Sequence, residues 1–172
     1  MNLQGGILQG QILLNLDTEE DDEIDIGCAG GIDVTATAEY DEEDTPEGSV
    51  SYSITVKGLQ GGHSGMDIHK GFGNANVIIG RLLYVALSQQ LQLVSIDSGG
   101  LRNAIPREGN AVFSLKNPEG ISAVEDLKAT ILEECAELEK DLQITIDRED
   151  ISEKAISEEN SKKIIFMIQW IS

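Results

Sequence analysis

The two histidines of the chain, His63 and His69, lie in a glycine-rich segment at residues 58–76. Glycine permits positive φ angles and the close approach of another group. A histidine in such a loop can serve as a metal ligand, as a general base or as a donor that stabilises an oxyanion. The alternative is an exposed histidine with no chemical role. His63 is the candidate catalytic residue of the segment.

Asp17 and Asn103 are two further residues with side chains suited to chemistry. Asp17 directly follows an apolar run at residues 12–16, and a carboxylate at the carboxyl end of a buried strand is well placed to bind a metal. A single carboxylate is not a site, since catalytic zinc takes about three protein ligands, and a solvated acidic turn is the alternative. Asn103 lies in residues 99–108, where Asn and Arg side chains flank a tight turn. Such side chains suit a substrate carboxylate or carbonyl, whereas a hairpin turn with polar flanks is the alternative.

Two other motifs in the histidine segment are incomplete. Gly71 and Gly73 resemble the start of a dinucleotide-binding loop, but Asn76 stands where that loop needs its third glycine. Ser64 lacks the Gly-x-Ser-x-Gly setting of a hydrolase nucleophile. The sequence therefore predicts neither nucleotide binding nor a serine nucleophile here.

The charge and the cysteines limit the partners and the compartment. With 12 Lys and Arg residues against 31 Asp and Glu residues, the formal net charge is −19, which disfavours nucleic acid and anionic membrane surfaces as partners. Cys28 and Cys135 are far apart and form no zinc ribbon or disulfide framework. No signal-peptide pattern and no apolar run near ~20 residues is found. We expect a soluble, cytoplasmic protein with reduced thiols.

The elements that must position these residues follow from hydrophobic periodicity. Alternation predicts strands over residues 50–57, 91–96, 111–115 and 142–146. An apolar segment predicts a buried helix over residues 75–90. Apolar steps of three and four over residues 124–142 predict an amphipathic helix, with Ser122 and Glu125 as a capping box at its start. The order strand, helix, strand, strand, helix, strand predicts an α+β, ferredoxin-like fold: one antiparallel sheet with two helices on one face.

Three stretches taken together resemble the aminoacyl-histidine dipeptidases, also called Xaa-His dipeptidases, cytosol non-specific dipeptidases or peptidase D. This family belongs to the two-zinc aminopeptidase and carboxypeptidase superfamily, and the resemblance covers most of residues 7–150. The stretches are Leu13-Leu14-Asn15-Leu16-Asp17-Thr18-Glu19-Glu20 with Gly27-Cys28-Ala29-Gly30-Gly31, Gly61-Gly62-His63-Ser64-Gly65 with Ile68-His69 and Gly73-Asn74-Ala75-Asn76, and Arg102-Asn103-Ala104-Ile105-Pro106-Arg107-Glu108.

The resemblance implies a parent enzyme with a zinc-binding α/β catalytic domain and an inserted ferredoxin-like lid that makes a homodimer. It implies that Asp17 binds one of two zincs and that Asn103 holds the substrate. It also implies that His63 reaches into the partner subunit's active site and stabilises the substrate carbonyl as it becomes an oxyanion. A water that bridges the two zincs is the nucleophile in such a site, and a glutamate acts as the base.

The chain also departs from the family pattern. The family's first zinc histidine, its bridging aspartate and its last zinc histidine have no counterpart here, and its tandem catalytic glutamates lie upstream of the Asp17 position, so Glu19 and Glu20 do not take their role. An acidic linker at residues 41–47 marks a predicted domain boundary. We therefore expect a partial catalytic-domain segment at residues 1–44, which contributes a few strands of the α/β zinc-peptidase domain. We also expect a lid and dimerisation domain at 45–150 and a truncated tail at 151–172, helical or poorly ordered.

The expected function is that of the lid and dimerisation region of a cytosolic zinc dipeptidase, which acts on Xaa-His and other dipeptides. We expect this chain alone to be inactive and to hold no zinc, because one ligand of a two-metal set is too few. The alternative is a stand-alone ferredoxin-like module that binds a small ligand or dimerises without catalysis.

Overall fold

The computed structural model describes residues 9–12, 32 and 34–171. The chain divides into two compact units, Met1–Thr37 and Ala38–Ser172. The described residues of the first unit form no helix or strand, and Asp17 and Cys28 lie outside the described residues. The regular structure below belongs to the second unit.

The described residues of the second unit form six strands and three α-helices. In chain order they are β1 (Glu42–Asp44), β2 (Val50–Lys57), α1 (Ala75–Val85), β3 (Leu91–Ser98), β4 (Gly109–Leu115), α2 (Ile121–Cys135), β5 (Gln143–Glu149), β6 (Lys154–Ile156) and α3 (Glu158–Ile171).

Four of the strands form one antiparallel sheet in the order β3-β4-β2-β5. Tyr52 of the central strand β2 lies opposite Phe113 of β4 on one side and Arg148 of β5 on the other. The first and last strands of the β-α-β-β-α-β series are therefore neighbours, as that fold requires. The predicted α+β, ferredoxin-like fold is confirmed.

The core lies between the sheet and the helices α1 and α2. Ile54 of β2 and Phe113 of β4 are completely buried, as are Leu82 of α1 and Ile131 of α2. All four belong to one apolar cluster. Burying side chains of this size is the main favourable term in folding, so this layer fixes the ends of the strands from which the loops project.

The start of α2 differs from the prediction. The helix begins at Ile121, directly after a 3₁₀ turn, and no side chain caps it. Ser122 donates its hydroxyl to the carbonyl of Glu119 at 3.0 Å, and Glu125 pairs with Lys128 at 3.0 Å. The predicted capping box is wrong because the 3₁₀ turn begins the helix one residue before Ser122.

Both predicted helices were also too long at their ends. α1 stops at Val85 and is followed by a 3₁₀ turn, and α2 stops at Cys135. Residues between α2 and β5 form turns in which Leu138 is 47% exposed. The apolar spacing there continues past the end of the helix, since Leu142 in the following turn still packs against the core.

The segment after β5, which contains β6 and α3, packs on the same compact unit. β6 pairs antiparallel with β1, so that Glu42 lies opposite Ile156. α3 then packs against α1 and β3, with Ile165 completely buried. The predicted division at residues 44 and 150 stays a prediction, but both β1 and α3 lie in the same compact unit as the sheet.

Candidate functional site

His63 and Asn103, two of the three predicted site residues, lie together. The loop after β2 and the loop after β3 meet in an isolated antiparallel bridge between His63 and Ala104. The main-chain N–H of Ser64 donates to the carbonyl of Asn103 at 2.9 Å, and that of Ile105 donates to the carbonyl of Gly62 at 2.8 Å. His63 and Asn103 are exposed. The main chains of two stretches far apart in sequence thus meet at His63 and Asn103.

The imidazole of His63 is oriented by its own loop. Its Nδ1 accepts hydrogen bonds from the main-chain N–H groups of Gly65 at 3.1 Å and Met66 at 3.2 Å. A nitrogen that accepts carries no proton, so the proton of the neutral ring is on Nε2. His63 therefore offers one N–H donor, which suits a carbonyl oxygen or an oxyanion.

Asp67 supports the same turn, and sequence reasoning missed it. Its Oδ2 accepts from the main-chain N–H of His63 at 2.7 Å, and its Oδ1 accepts from Lys70 Nζ at 2.6 Å. The hydrogen bond from Lys70, and after it the one from His63, holds the pKa of this carboxyl below its usual range. The available signal was an aspartate four residues after the histidine, in the same loop.

The paired glycines before His63 are required by close contacts. A Cβ on Gly61, whose φ is +70°, would lie 2.3 Å from Cγ of Arg107. A Cβ on Gly62 would lie 2.8 Å from Cβ of Asp67. Arg107 in turn donates from Nε to the carbonyl of Leu59 at 3.1 Å. Glycine is what lets the two loops approach closely enough to form the bridge.

A second missed residue is Glu139, in the turn after α2. Its side chain accepts the main-chain N–H of Gln60 at 2.8 Å and that of Gly73 at 2.7 Å. It is only 4% exposed. In the sequence it is one of several glutamates near the end of α2 and looks like part of a solvated face, so no pattern distinguishes it.

An open groove of about 550 Å³ lies beside the bridge. Gly62 and Ala104 line it, together with Arg107 and residues from the ends of β2 and β3. A volume of this order is typical of small-molecule sites. The groove places both basic and acidic side chains next to the loop that carries His63.

The described residues do not form a zinc site. No group of three or more His, Cys, Asp or Glu side chains lies close enough within them to hold a metal ion. Cys135 is partly buried, and this burial raises the pKa of its thiol. The predicted ligand Asp17 lies outside the described range.

None of the helices that the structure describes is both long enough and apolar enough to cross a bilayer.

The comparisons with known proteins agree with the resemblance seen in the sequence. A family model described as a peptidase dimerisation domain matches residues 47–142. The chain is 43% identical over 150 residues to the cytosol non-specific dipeptidase of Escherichia coli strain K12. This match covers 84% of the chain and 31% of the relative, so the chain spans about a third of that protein's length.

Solved structures give the same fold. The aminoacylhistidine dipeptidase of Vibrio alginolyticus superposes with a TM-score of 0.71 at 31% identity, over 77% of this chain and 28% of that one. An amidase of the hydantoinase/carbamoylase family from Burkholderia multivorans superposes with a TM-score of 0.50 at 14% identity, over 63% of this chain and 28% of that one, and shows the fold alone.

Proposed function

We propose that this chain is the lid and dimerisation region of a cytosolic zinc dipeptidase that acts on Xaa-His and other dipeptides. The proposal starts from the family, because the chain belongs to the peptidase dimerisation domain family. The two dipeptidase matches support this substrate class. The chain joins a homodimer through this region. Residues 45–150 are the lid, residues 1–44 are part of the catalytic domain, and residues 151–172 are the segment that follows the lid.

The pairing of β1 with β6 supports a lid inserted in another domain. The N–H of Thr45 donates to the carbonyl of Glu153 at 3.0 Å, and the N–H of Ser157 donates to the carbonyl of Asp41 at 2.8 Å. The chain thus enters and leaves the ferredoxin-like layer side by side. An inserted domain needs this arrangement, because its host must continue from nearly the point where it was interrupted.

The observation that carries the catalytic part of the proposal is the imidazole of His63. Its Nδ1 is occupied by the N–H groups of Gly65 and Met66, which leaves Nε2–H as a donor. In the homodimer this donor binds the substrate carbonyl oxygen in the partner subunit's site and stabilises the negative charge that develops there. A donor that is oriented before the reaction costs no reorganisation when charge appears, which is why such groups accelerate acyl transfer.

Asn103 holds the substrate beside His63. Its carbonyl accepts the N–H of Ser64, so its main chain is fixed to the histidine loop. Its exposed side chain provides one acceptor and two donors for a substrate carbonyl or carboxylate. Arg107 lines the adjoining groove, together with Lys57 and the acidic residues Asp97 and Glu108.

Most of the zinc ligands of the proposed enzyme lie outside this chain. We propose Asp17 as one of its ligands, and the described residues supply no group of three that would complete a site. No step is therefore assigned to the metal here. By itself the chain is expected not to hydrolyse dipeptides.

A chimera tests the proposal. The aligned 150-residue segment of the E. coli dipeptidase is replaced by that of this chain, and hydrolysis of an Xaa-His dipeptide is measured. We expect an active enzyme, in which His63→Ala lowers kcat by about 10²- to 10³-fold, the usual loss for an oxyanion donor, with little change in KM. His69→Ala is the matched control and should retain activity.

Two results would contradict the proposal. An inactive chimera that still folds and dimerises would show that this segment is not an equivalent lid, and the ligand-binding module would take its place. An active chimera in which His63→Ala and His69→Ala behave alike would show that His63 has no part in the reaction.

A further inference from the structure

The loop that carries His63 is held at both ends by one side chain. Glu139 accepts the N–H of Gln60 through Oε2 at 2.8 Å and the N–H of Gly73 through Oε1 at 2.7 Å. These two residues flank the whole histidine loop and are separated from Glu139 by 79 and 66 positions in the sequence. A single carboxylate therefore closes the base of the loop.

Burial makes these two hydrogen bonds strong. Glu139 is 4% exposed, and no Lys, Arg or His nitrogen within the described range forms an ion pair with it. A buried carboxylate is costly unless its charge is compensated by hydrogen bonds. The two N–H groups supply that compensation, and bonds to an ionised acceptor are shorter and stronger than neutral ones.

The backbone of Glu139 is fixed as firmly as its side chain. Its N–H donates to the carbonyl of Cys135 at 2.8 Å, and its carbonyl accepts the N–H of Leu142 at 3.1 Å. Hydrogen bonds therefore connect the turn to the end of α2 and to the residue just before β5. The carboxylate has a fixed point of attachment on the core layer.

The close contact between residue 73 and Glu139 requires a glycine at position 73. A Cβ at this position would lie 2.5 Å from Cδ2 of Leu59 and 3.3 Å from Cγ of Glu139. A side chain here would clash with Leu59 and crowd Glu139. A glycine here lets the loop end come within hydrogen-bond distance of a buried acid.

We propose that Glu139 is a positioning residue for His63: by fixing both ends of the loop it sets the place and the orientation of the imidazole. The significance of this for catalysis rests on the proposed function of His63. The positioning itself is a property of this chain and is measured without substrate, so it stands or fails separately from that function.

The test compares two glutamate variants of the chain by NMR. Glu139→Gln keeps one acceptor but sets an NH₂ group against a main-chain N–H, and it removes the charge. Glu137→Gln is the matched control, because Glu137 is an exposed residue of the same turn. Amide hydrogen exchange reports the two hydrogen bonds, and the ¹⁵N signals of the imidazoles report the tautomers of His63 and His69.

We expect Glu139→Gln to accelerate exchange of the amide that faces the new NH₂ group, Gln60 or Gly73, by roughly 10- to 100-fold, as the loss of a hydrogen bond to a charged group implies. The other amide keeps an uncharged acceptor and should exchange faster by a smaller factor. We expect the two ring-nitrogen signals of His63 to move toward each other as the tautomers mix. The signals of His69, and all signals in Glu137→Gln, should stay at their wild-type values.

Faster exchange at Gln60 and Gly73 with unchanged His63 nitrogens would overturn the proposal, since Glu139 would then anchor the loop ends without positioning the ring. Unchanged amide exchange at Gln60 and Gly73 would also overturn the proposal, since Glu139 would then not hold the ends of the loop. If Glu139→Gln does not fold, Glu139→Asp takes its place, because its side chain is one methylene shorter and cannot reach both N–H groups, while the charge stays intact. The same signals of His63 then decide.

Discussion

Two main-chain N–H groups limit what the imidazole of His63 can do. A general base or a metal ligand needs a free ring nitrogen with a lone pair. Nδ1 uses its lone pair on Gly65 and Met66, and Nε2 carries the proton. Of the roles open to a histidine in a glycine loop, donation of a hydrogen bond is the one that leaves these contacts intact.

Asp67 gives the loop a dependence on acid. Its folded-state pKa lies below the ordinary value of 3.8, first because of the hydrogen bond from Lys70. A carboxyl with a lowered folded pKa adds stability that is present above the unfolded pKa and is lost as the pH falls through the folded pKa. The turn that holds His63 should therefore loosen only in strong acid.

An NMR titration checks this at the residue itself. We expect the amide proton of His63, which donates to Asp67, to shift with a midpoint below 3.8. Lys70→Ala removes the main cause of the lowering and should raise that midpoint. A wild-type midpoint at or above 3.8, or one that Lys70→Ala leaves unchanged, would show that Lys70 does not act on this carboxyl.

Sequence reasoning reached the residues whose chemistry is visible in their type. His63 and Asn103 are predicted because a histidine among glycines and an asparagine beside a tight turn are uncommon patterns. The structure brings their main chains together, and their roles stay predictions. Asp67 and Glu139 were not found. Each acts by accepting main-chain N–H groups, and a glutamate that does so looks in sequence like any other acidic surface residue.

The helices and strands also include some features that the local sequence predicts and some that it does not. The strands β2, β3, β4 and β5 were predicted within a few residues, because alternation directly records which side faces the core. The first turn of α2 and the ends of α1 and α2 were wrong. At those boundaries turns and 3₁₀ segments carry the apolar spacing on beyond the α-helix, so the spacing does not record where the helix begins or ends.

At the level of elements, Ser161 is the contact that joins α3 to the sheet. Its buried hydroxyl accepts the N–H of Leu93 at 2.9 Å and donates to the carbonyl of Ile156 at 3.1 Å. Ser161→Ala removes both hydrogen bonds from a buried contact, and we expect it to lower the free energy of unfolding by about 1–3 kcal/mol. Urea denaturation followed by circular dichroism measures the change.

Ser122→Ala is the control for that experiment. Its hydroxyl is exposed and donates only to the carbonyl of Glu119, so the expected change stays within about 0.5 kcal/mol. A loss near 1 kcal/mol, the usual cost of removing a helix cap, would restore the capping box that the structure contradicts. Equal losses in the two variants would remove the special role of Ser161.

The charge of the whole molecule acts on the proposed homodimer. Each copy carries a formal charge of −19, so two copies repel each other, and salt screens that repulsion over about 10 Å at 0.1 M. We expect light scattering to show twice the mass of one chain, with a dissociation constant that falls as the salt concentration rises. Added zinc should leave the mass unchanged.

Two outcomes of that measurement would contradict the proposed assembly. A single-chain mass at every salt concentration would leave His63 without a partner site to reach. A dimer that forms only with zinc would mean that metal ligands in the chain contribute to the interface. Protein concentration must be matched between samples, since the fraction of dimer depends on it.

The pairing of β1 with β6 has a consequence for the history of such a fold. A body whose two connections to its surroundings run side by side can be gained, lost or exchanged between hosts by recombination, because the gap it leaves is no wider than the spacing of two neighbouring strands. Its own folding would be little affected by the change of host. The paired strands Glu42–Asp44 and Lys154–Ile156 therefore mark the place at which recombination could connect this domain to a different catalytic domain.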